Sequence, residues 1–318
     1  MKQAYLTLFL SILVLSLLLA AGCTDREPAS VPATPTPPGP TGTAAPPAVG
    51  YPETSQDIKD YVDYAAVWAI EHGRDEAIAA FGNATGPFVT GDVYVYALDY
   101  EGIALALPFQ PAMVGTDFTP LLDASGKPYT AVEIQLVKSG GGYILYHYPY
   151  PADDQPSMQK LSYVRPVDDT YWIGAGIYTS EDRLIDPALR QFLADAKAYA
   201  VANGREKALA AFNNLSGPFI DGELYVFAYD YEGTVLSWPH RPDQIGVNRY
   251  NVTDPMGIFH IQSFITTAKR GGGVVDYYTT NPFTNATDLK VSWVTDVDGT
   301  WLIGAGRYIV PGPLVLRA

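Results

Sequence analysis

The chain has 318 residues, 47% of them hydrophobic, and a formal net charge of −14. An acidic surplus of that size excludes nucleic acid and anionic membrane surfaces as partners, because both are polyanions. The single cysteine, Cys23, leaves no disulfide and no thiolate pair, so the folded part must stand on apolar burial alone.

Residues 1–22 read as an export leader. Lys2 supplies a positive start, Ala4 to Leu19 is apolar apart from scattered Thr and Ser, and Ala20-Ala21-Gly22 brings small residues up to Cys23. That run resembles the lipobox of a prokaryotic lipoprotein signal, which implies cleavage before Cys23 and lipidation of its thiol. Read without the lipobox, it is an ordinary secretory leader or a single anchor helix, and the bulk of the chain is still exported. Residues 23–56 are rich in Pro, Ala, Thr and Gly, with pairs at Pro37-Pro38 and Pro46-Pro47. They lack the apolar side chains to fold and read as a disordered, partly polyproline tether of roughly 3 Å per residue.

Beyond the tether the sequence repeats itself. Gly73 to Pro108 recurs, shifted by 131 residues, as Gly204 to Pro239, with 20 of 36 positions identical. A period this long marks a duplicated domain, since solenoid units run only about 20–50 residues. The expected modules are 57–182 and 183–318, each long enough for its own core. Differences between the copies therefore become candidates for divided labour.

Each copy opens with a helix. Ile58, Tyr61, Val62, Ala65, Ala66 and Ala69 form one stripe, closed by Gly73. In the second copy Asp186 is the expected N-cap, Pro187 lies in the first turn, and Phe192, Ala196 and Tyr199 continue to Gly204. A short helix follows through Phe81 or Phe212, ended by Gly-Pro-Phe. Four sequons, at Asn83, Asn214, Asn251 and Asn285, read equally as glycan acceptors or as turn asparagines.

The remainder reads as strands. Val93 to Leu98 and Leu224 to Tyr229 alternate, and Asp-Tyr-Glu-Gly turns each into a hairpin with 103–107 or 234–238. Further strands are expected at 130–138 and 259–269, at 143–148 and 274–279 after a triple glycine, and at 160–167 with 172–178 or 290–297 with 301–309. Helices followed by a meander imply an α+β module, with a sheet of about five to six strands and the helices on one of its faces.

The order of Ala-Ala-Phe, Gly-Pro-Phe, Asp-Tyr-Glu-Gly, Gly-Gly-Gly and Ile-Gly-Ala-Gly resembles the Cache family of extracellular sensor domains, single-module type, over 57–179 and again over 187–309. The resemblance implies two tandem PAS-like Cache modules, each a sheet with a long N-terminal helix that cups a small organic ligand. Such ligands are often carboxylates, amino acids or related metabolites. No transmembrane, kinase or chemotaxis segment follows Ala318, so the expected signalling partner is a separate membrane receptor or transporter. The expected place is the outer face of the cytoplasmic membrane, by lipid anchor.

Catalytic signals are thin. His72, His147, His240 and His260 show no metal-ligand spacing, no Gly-x-Ser-x-Gly elbow occurs, and Asp296-Val297-Asp298-Gly299 reads as a hairpin turn. Gly174-Ala175-Gly176 and Gly304-Ala305-Gly306 lie inside strands and read as a bulge or close packing. No enzyme, metal or cofactor is expected. The 23 tyrosines and five tryptophans concentrate on the strands and suit a pocket for a small polar metabolite, or else simple packing.

The copies differ after the hairpin, where Trp238-Pro239-His240-Arg241 replaces Leu107-Pro108-Phe109-Gln110. A buried carboxylate needs fixed cations or strong donors. The second module is therefore expected to hold the main anion site, with Tyr225, Trp238, His240, Arg241, Tyr277, Lys290 and Trp293. The first, with Tyr94, Tyr96, Tyr146, Lys160 and Tyr163, takes a less charged ligand or acts as a spacer. Arg241 and Lys290 read equally as solvent-facing. A surface structural or adhesion protein with filled pockets is the alternative.

Overall fold

The computed structural model describes residues 50–151 and 157–316. The leader, Cys23 and most of the expected tether lie outside them. The first helix, α1 (Ser55–His72), starts inside the stretch read as tether, because Thr54 closes a capping box with Asp57. Its buried stripe is the one expected, and Gly73 ends it at φ 83° before α2 (Arg74–Phe81). In the second copy the Asp186 carboxylate accepts from Leu189 N, capping α5 (Pro187–Asn203), which leads into α6 (Arg205–Phe212). A single turn, α4 (Glu181–Leu184), joins the copies.

Each module is built on an antiparallel sheet. The first comprises β1 (Val89–Thr90), β2 (Val93–Asp99), β3 (Ala104–Ala106), β4 (Gly142–Tyr148), β5 (Met158–Pro166) and β6 (Tyr171–Thr179). Their order is β1-β2-β6-β5-β4, with β3 hairpinned onto β2. In the second, β7 (Ile220–Asp221) pairs with β8 (Leu224–Tyr225) apart from the main sheet. That sheet contains β9 (Phe227–Asp230), β10 (Val235–Ser237), β11 (Gly273–Thr280), β12 (Thr287–Asp296) and β13 (Trp301–Ile309), in the order β10-β9-β13-β12-β11.

Two expected strands are helices instead. Residues 130–138 belong to α3 (Tyr129–Lys138), and of residues 259–269 all but the N-cap Phe259 belong to α7 (His260–Lys269). Val132, Ile134 and Leu136 alternate like a strand, yet Tyr129, Val132, Glu133, Leu136 and Val137 also satisfy a helical stripe, and all are buried. The sheet therefore carries helices on both faces, not one. In the first module α1 packs against β5 and β6, while α3 covers β4 and β5 from the other side. Between α3 and the sheet lies the hollow that β2 lines with Tyr94, Tyr96 and Leu98.

The Gly-Ala-Gly strands make room for that hollow's floor. A Cβ on Gly174 would lie 2.6 Å from the Tyr96 ring, and one on Gly304 would meet Phe227 as closely. The modules also share apolar core, with Tyr278, Leu289, Val291 and Ile309 of the second packed among residues of the first. Tyr278 Oη donates to Tyr143 O at 2.8 Å across that junction.

Candidate functional site

The first hollow is nearly full. Its walls include Tyr94, Tyr96, Tyr129, Tyr146 and Tyr148 with Leu98, Leu107 and Phe118, and about 10 Å³ remains, room for about one water. Tyr148 donates to Gln110 Oε1 at 2.6 Å over the space that a threonine leaves open in the other copy.

Lys160 and Glu133 also belong to that wall and are fully buried. Lys160 comes from β5, and its Nζ stands 3.9 Å from the Tyr94 ring centroid, 5.1 Å from Tyr178 and 5.4 Å from both Tyr96 and Tyr148. Such a cage stabilises a cation without a hydrogen bond. Among the described residues Nζ has no hydrogen-bond partner. Burial lowers its pKa to about 7, although Glu133 and Asp92 pull upward. Glu133, on α3, accepts from Tyr96 Oη at 2.6 Å, and burial pushes its carboxyl up to about 8 against that bond and Lys160.

The second hollow keeps the frame and changes the contents. Tyr225, Phe227, Tyr229, Trp238, His260, Phe264, Tyr277 and Thr279 line an inner space of about 20 Å³. It adjoins a cleft of about 560 Å³, walled by Trp238, His240, Arg241, Arg249, Asp254, His260, Tyr278, Thr279 and neighbouring loop residues. Trp238, His260 and Thr279 belong to both.

Nitrogens crowd this cleft. His260 opens α7 and stacks on Tyr277 at 5.1 Å; its Nδ1 is buried without a partner among the described residues, and burial lowers its pKa to about 4. His240 sits edge-on to Tyr225 at 4.8 Å, with Nε2 likewise unpartnered, and burial and Lys290 lower its pKa. The Arg249 guanidinium lies 5.6 Å from the Trp238 ring and donates to Gln244 Oε1 at 2.8 Å, while its Nε is buried without an acceptor. Arg241 flanks the same tryptophan at 5.8 Å but is half exposed and pairs with Asp243 at 2.9 Å.

The structure thus places Tyr225 and Tyr277 in the inner space, His240 and Arg241 in the cleft and Trp238 in both, with Arg241 half exposed. Tyr94, Tyr96, Tyr146 and Lys160 line the first hollow. Lys290 does not point to solvent: it is fully buried, its Nζ 3.7 Å from the Tyr225 ring and 4.8 Å from Tyr308, and burial lowers its pKa although Tyr225 opposes this. It stands outside the lining of either space.

Two expected site residues lie elsewhere. Tyr163 packs edge-on to Tyr143 under Lys59 of α1, and Trp293 carries Arg190 of α5 at 4.2 Å. Both follow a hollow-side lysine by three strand positions, and side chains alternate faces, so an odd step places them on the opposite side.

Sequence reasoning missed Arg249, His260, Thr279 and Glu133. The 131-residue shift pairs the first three with Phe118, Tyr129 and Tyr148, so the comparison applied at 238–241 would have found them. Glu133 pairs with Phe264, a lone acid in an apolar run.

A Cache domain model matches residues 71–310. The chain belongs to the Cache domain family, whose members are ligand-binding sensor modules of the extracytoplasmic side. Over 86 residues it is 37% identical to the sensor histidine kinase MctS of Rhizobium johnstonii, covering 27% of this chain and 19% of that protein's length. A periplasmic sensor domain of a chemotaxis protein is 28% identical, with a TM-score of 0.33 over 39% of this chain and 89% of its own. The ligand-binding domain of the Pseudomonas fluorescens chemoreceptor CtaA, solved with L-alanine, is 11% identical, with a TM-score of 0.24 over 78% of this chain and 86% of its own. No helix among the described residues is long and apolar enough to cross a membrane.

Proposed function

We propose that this chain is an exported, lipid-anchored sensor of a small organic acid or amino acid, held by the second module and read out through a separate membrane partner. The observation that carries this reading is the meeting of Arg249 Nε, His260 Nδ1 and His240 Nε2 at one cleft, each buried without a partner among the described residues. A buried polar group left unbonded costs roughly 1–3 kcal/mol, so a ligand carboxylate that satisfies several of them is favoured by charge and by hydrogen bonding. Trp238, Tyr225 and Tyr277 supply an apolar wall for the rest of a small metabolite. Binding acts by shifting the population toward the form that holds the ligand, with no bond chemistry.

The test is calorimetry against short mono- and dicarboxylates and amino acids. Arg249→Ala loses about 10-fold or more in affinity, the worth of one charge-assisted hydrogen bond, while rim Arg241→Ala changes it less than about threefold. If no acid or amino acid binds or raises the thermal midpoint, the adhesion or scaffold reading takes its place.

A further inference from the structure

The two hollows share a frame, and among the substitutions that separate them two change the inner wall from polar to apolar. In the first, Glu133 reaches in from α3 and is 1% exposed. Tyr96 Oη donates to it at 2.6 Å; Tyr146 Oη lies 3.4 Å behind Tyr96 Oη and 3.2 Å from Ser162 Oγ, a chain of hydroxyls that ends on the carboxylate. Lys160 stands in the same wall. In the second, Phe264 and Phe227 occupy the places of Glu133 and Tyr96 and stack at 5.1 Å. That inner wall contains no carboxylate, whereas its lysine, Lys290, is retained behind the tyrosine frame.

We infer that Glu133 is a built-in acid ligand: its carboxyl group occupies the hollow of the first module, which therefore takes no external acid. Resting on the second-module reading for what an external acid would do, this makes the first module permanently occupied and unresponsive to acids. The residual 10 Å³ agrees, because nothing larger than a water fits beside the glutamate. The duplicated pair then divides into one module held shut by its own side chain and one that waits for solute. Glu133 is the group that closes the first copy to an added acid.

Chemical rescue tests this in the full chain. Glu133→Ala keeps Cβ and deletes the atoms of one acetate. The variant should melt below wild type and regain stability saturably with sodium acetate. A rise of roughly 5 °C is expected once acetate exceeds its dissociation constant about 100-fold. Sodium chloride at equal ionic strength should not restore it, and wild type should show no acetate response assignable to the first module when Arg249→Ala is added to both. If E133A does not fold in chloride, its refolding yield in acetate against chloride gives the same reading. No acetate-specific gain in either measurement overturns the inference. Failure of wild type to bind any acid through Arg249 would instead sink the second-module reading, and the two results are read independently.

Discussion

Lys160→Met isolates the cost of a buried amine. The lysine is fully buried, its Nζ meets no hydrogen-bond acceptor among the described residues, and four tyrosine rings stand within 5.4 Å of it. Its pKa falls from 10.5 to about 7, chiefly through burial. Between those values the unfolded chain holds a proton that the native chain lacks, so the lysine's own contribution to stability rises with pH across the window and is least favourable below about 7. Glu133 works the other way: raised from 4.5 to about 8, it favours the native state at low pH and loses that contribution as pH rises through 8. Unfolded tyrosines begin to ionise near 10, so the clean window is about 8 to 9.5. Over it wild type should gain on the order of 1–2 kcal/mol, since one pKa unit corresponds to about 1.4 kcal/mol. Methionine keeps the stem packing and removes the charge; the lost cation–π attraction, about 2 kcal/mol, offsets part of the relief. K160M should thus be at least as stable as wild type at pH 6 and show no rise from 8 to 9.5. Urea titrations at pH 6, 8 and 9.5 measure both. A variant that climbs as steeply as wild type would refute the assignment of the rise to Lys160.

Two further outcomes bear on the second module. Thr279→Tyr installs the ring that Tyr148 places over the first hollow and should cut acid affinity by about 10-fold or more with little change in melting temperature; unchanged affinity would show that the inner space is not used. His260, depressed to about 4 from 6.5, costs the native state stability as pH falls through that interval, because only the unfolded chain protonates there. His260→Tyr, the first copy's residue, should flatten the fall in thermal midpoint between pH 6.5 and 4.5, and an equally steep fall would reassign it to other groups.

Legibility followed the range of the interactions. The stripe of α1, the Asp186 cap and the Asp-Tyr-Glu-Gly hairpins were readable because each depends on neighbours a few residues away. At Gly174 and Gly304 the sequence left a bulge or close packing open, and the partners Tyr96 and Phe227, which arrive from another strand, decide for packing. At the site, tyrosine clustering and the contrast at 238–241 pointed to residues that line the second module's cleft, among them an arginine that lies at its exposed rim. Arg249 and His260 come from a loop and a helix whose approach only the fold decides.

The chain alone determined that a module is duplicated, where its long helices end, and which copy carries the added cations, because identity and local capping need no third dimension. Tertiary structure decided that 129–138 and 260–269 are helices, since their β-branched runs suit either period and only burial against a sheet face chooses. That choice seats Glu133 beside one lysine's hollow and Phe264 in the other. It also shows that Tyr163 and Trp293 face away, a consequence of strand alternation that becomes visible once the sheet has two covered sides.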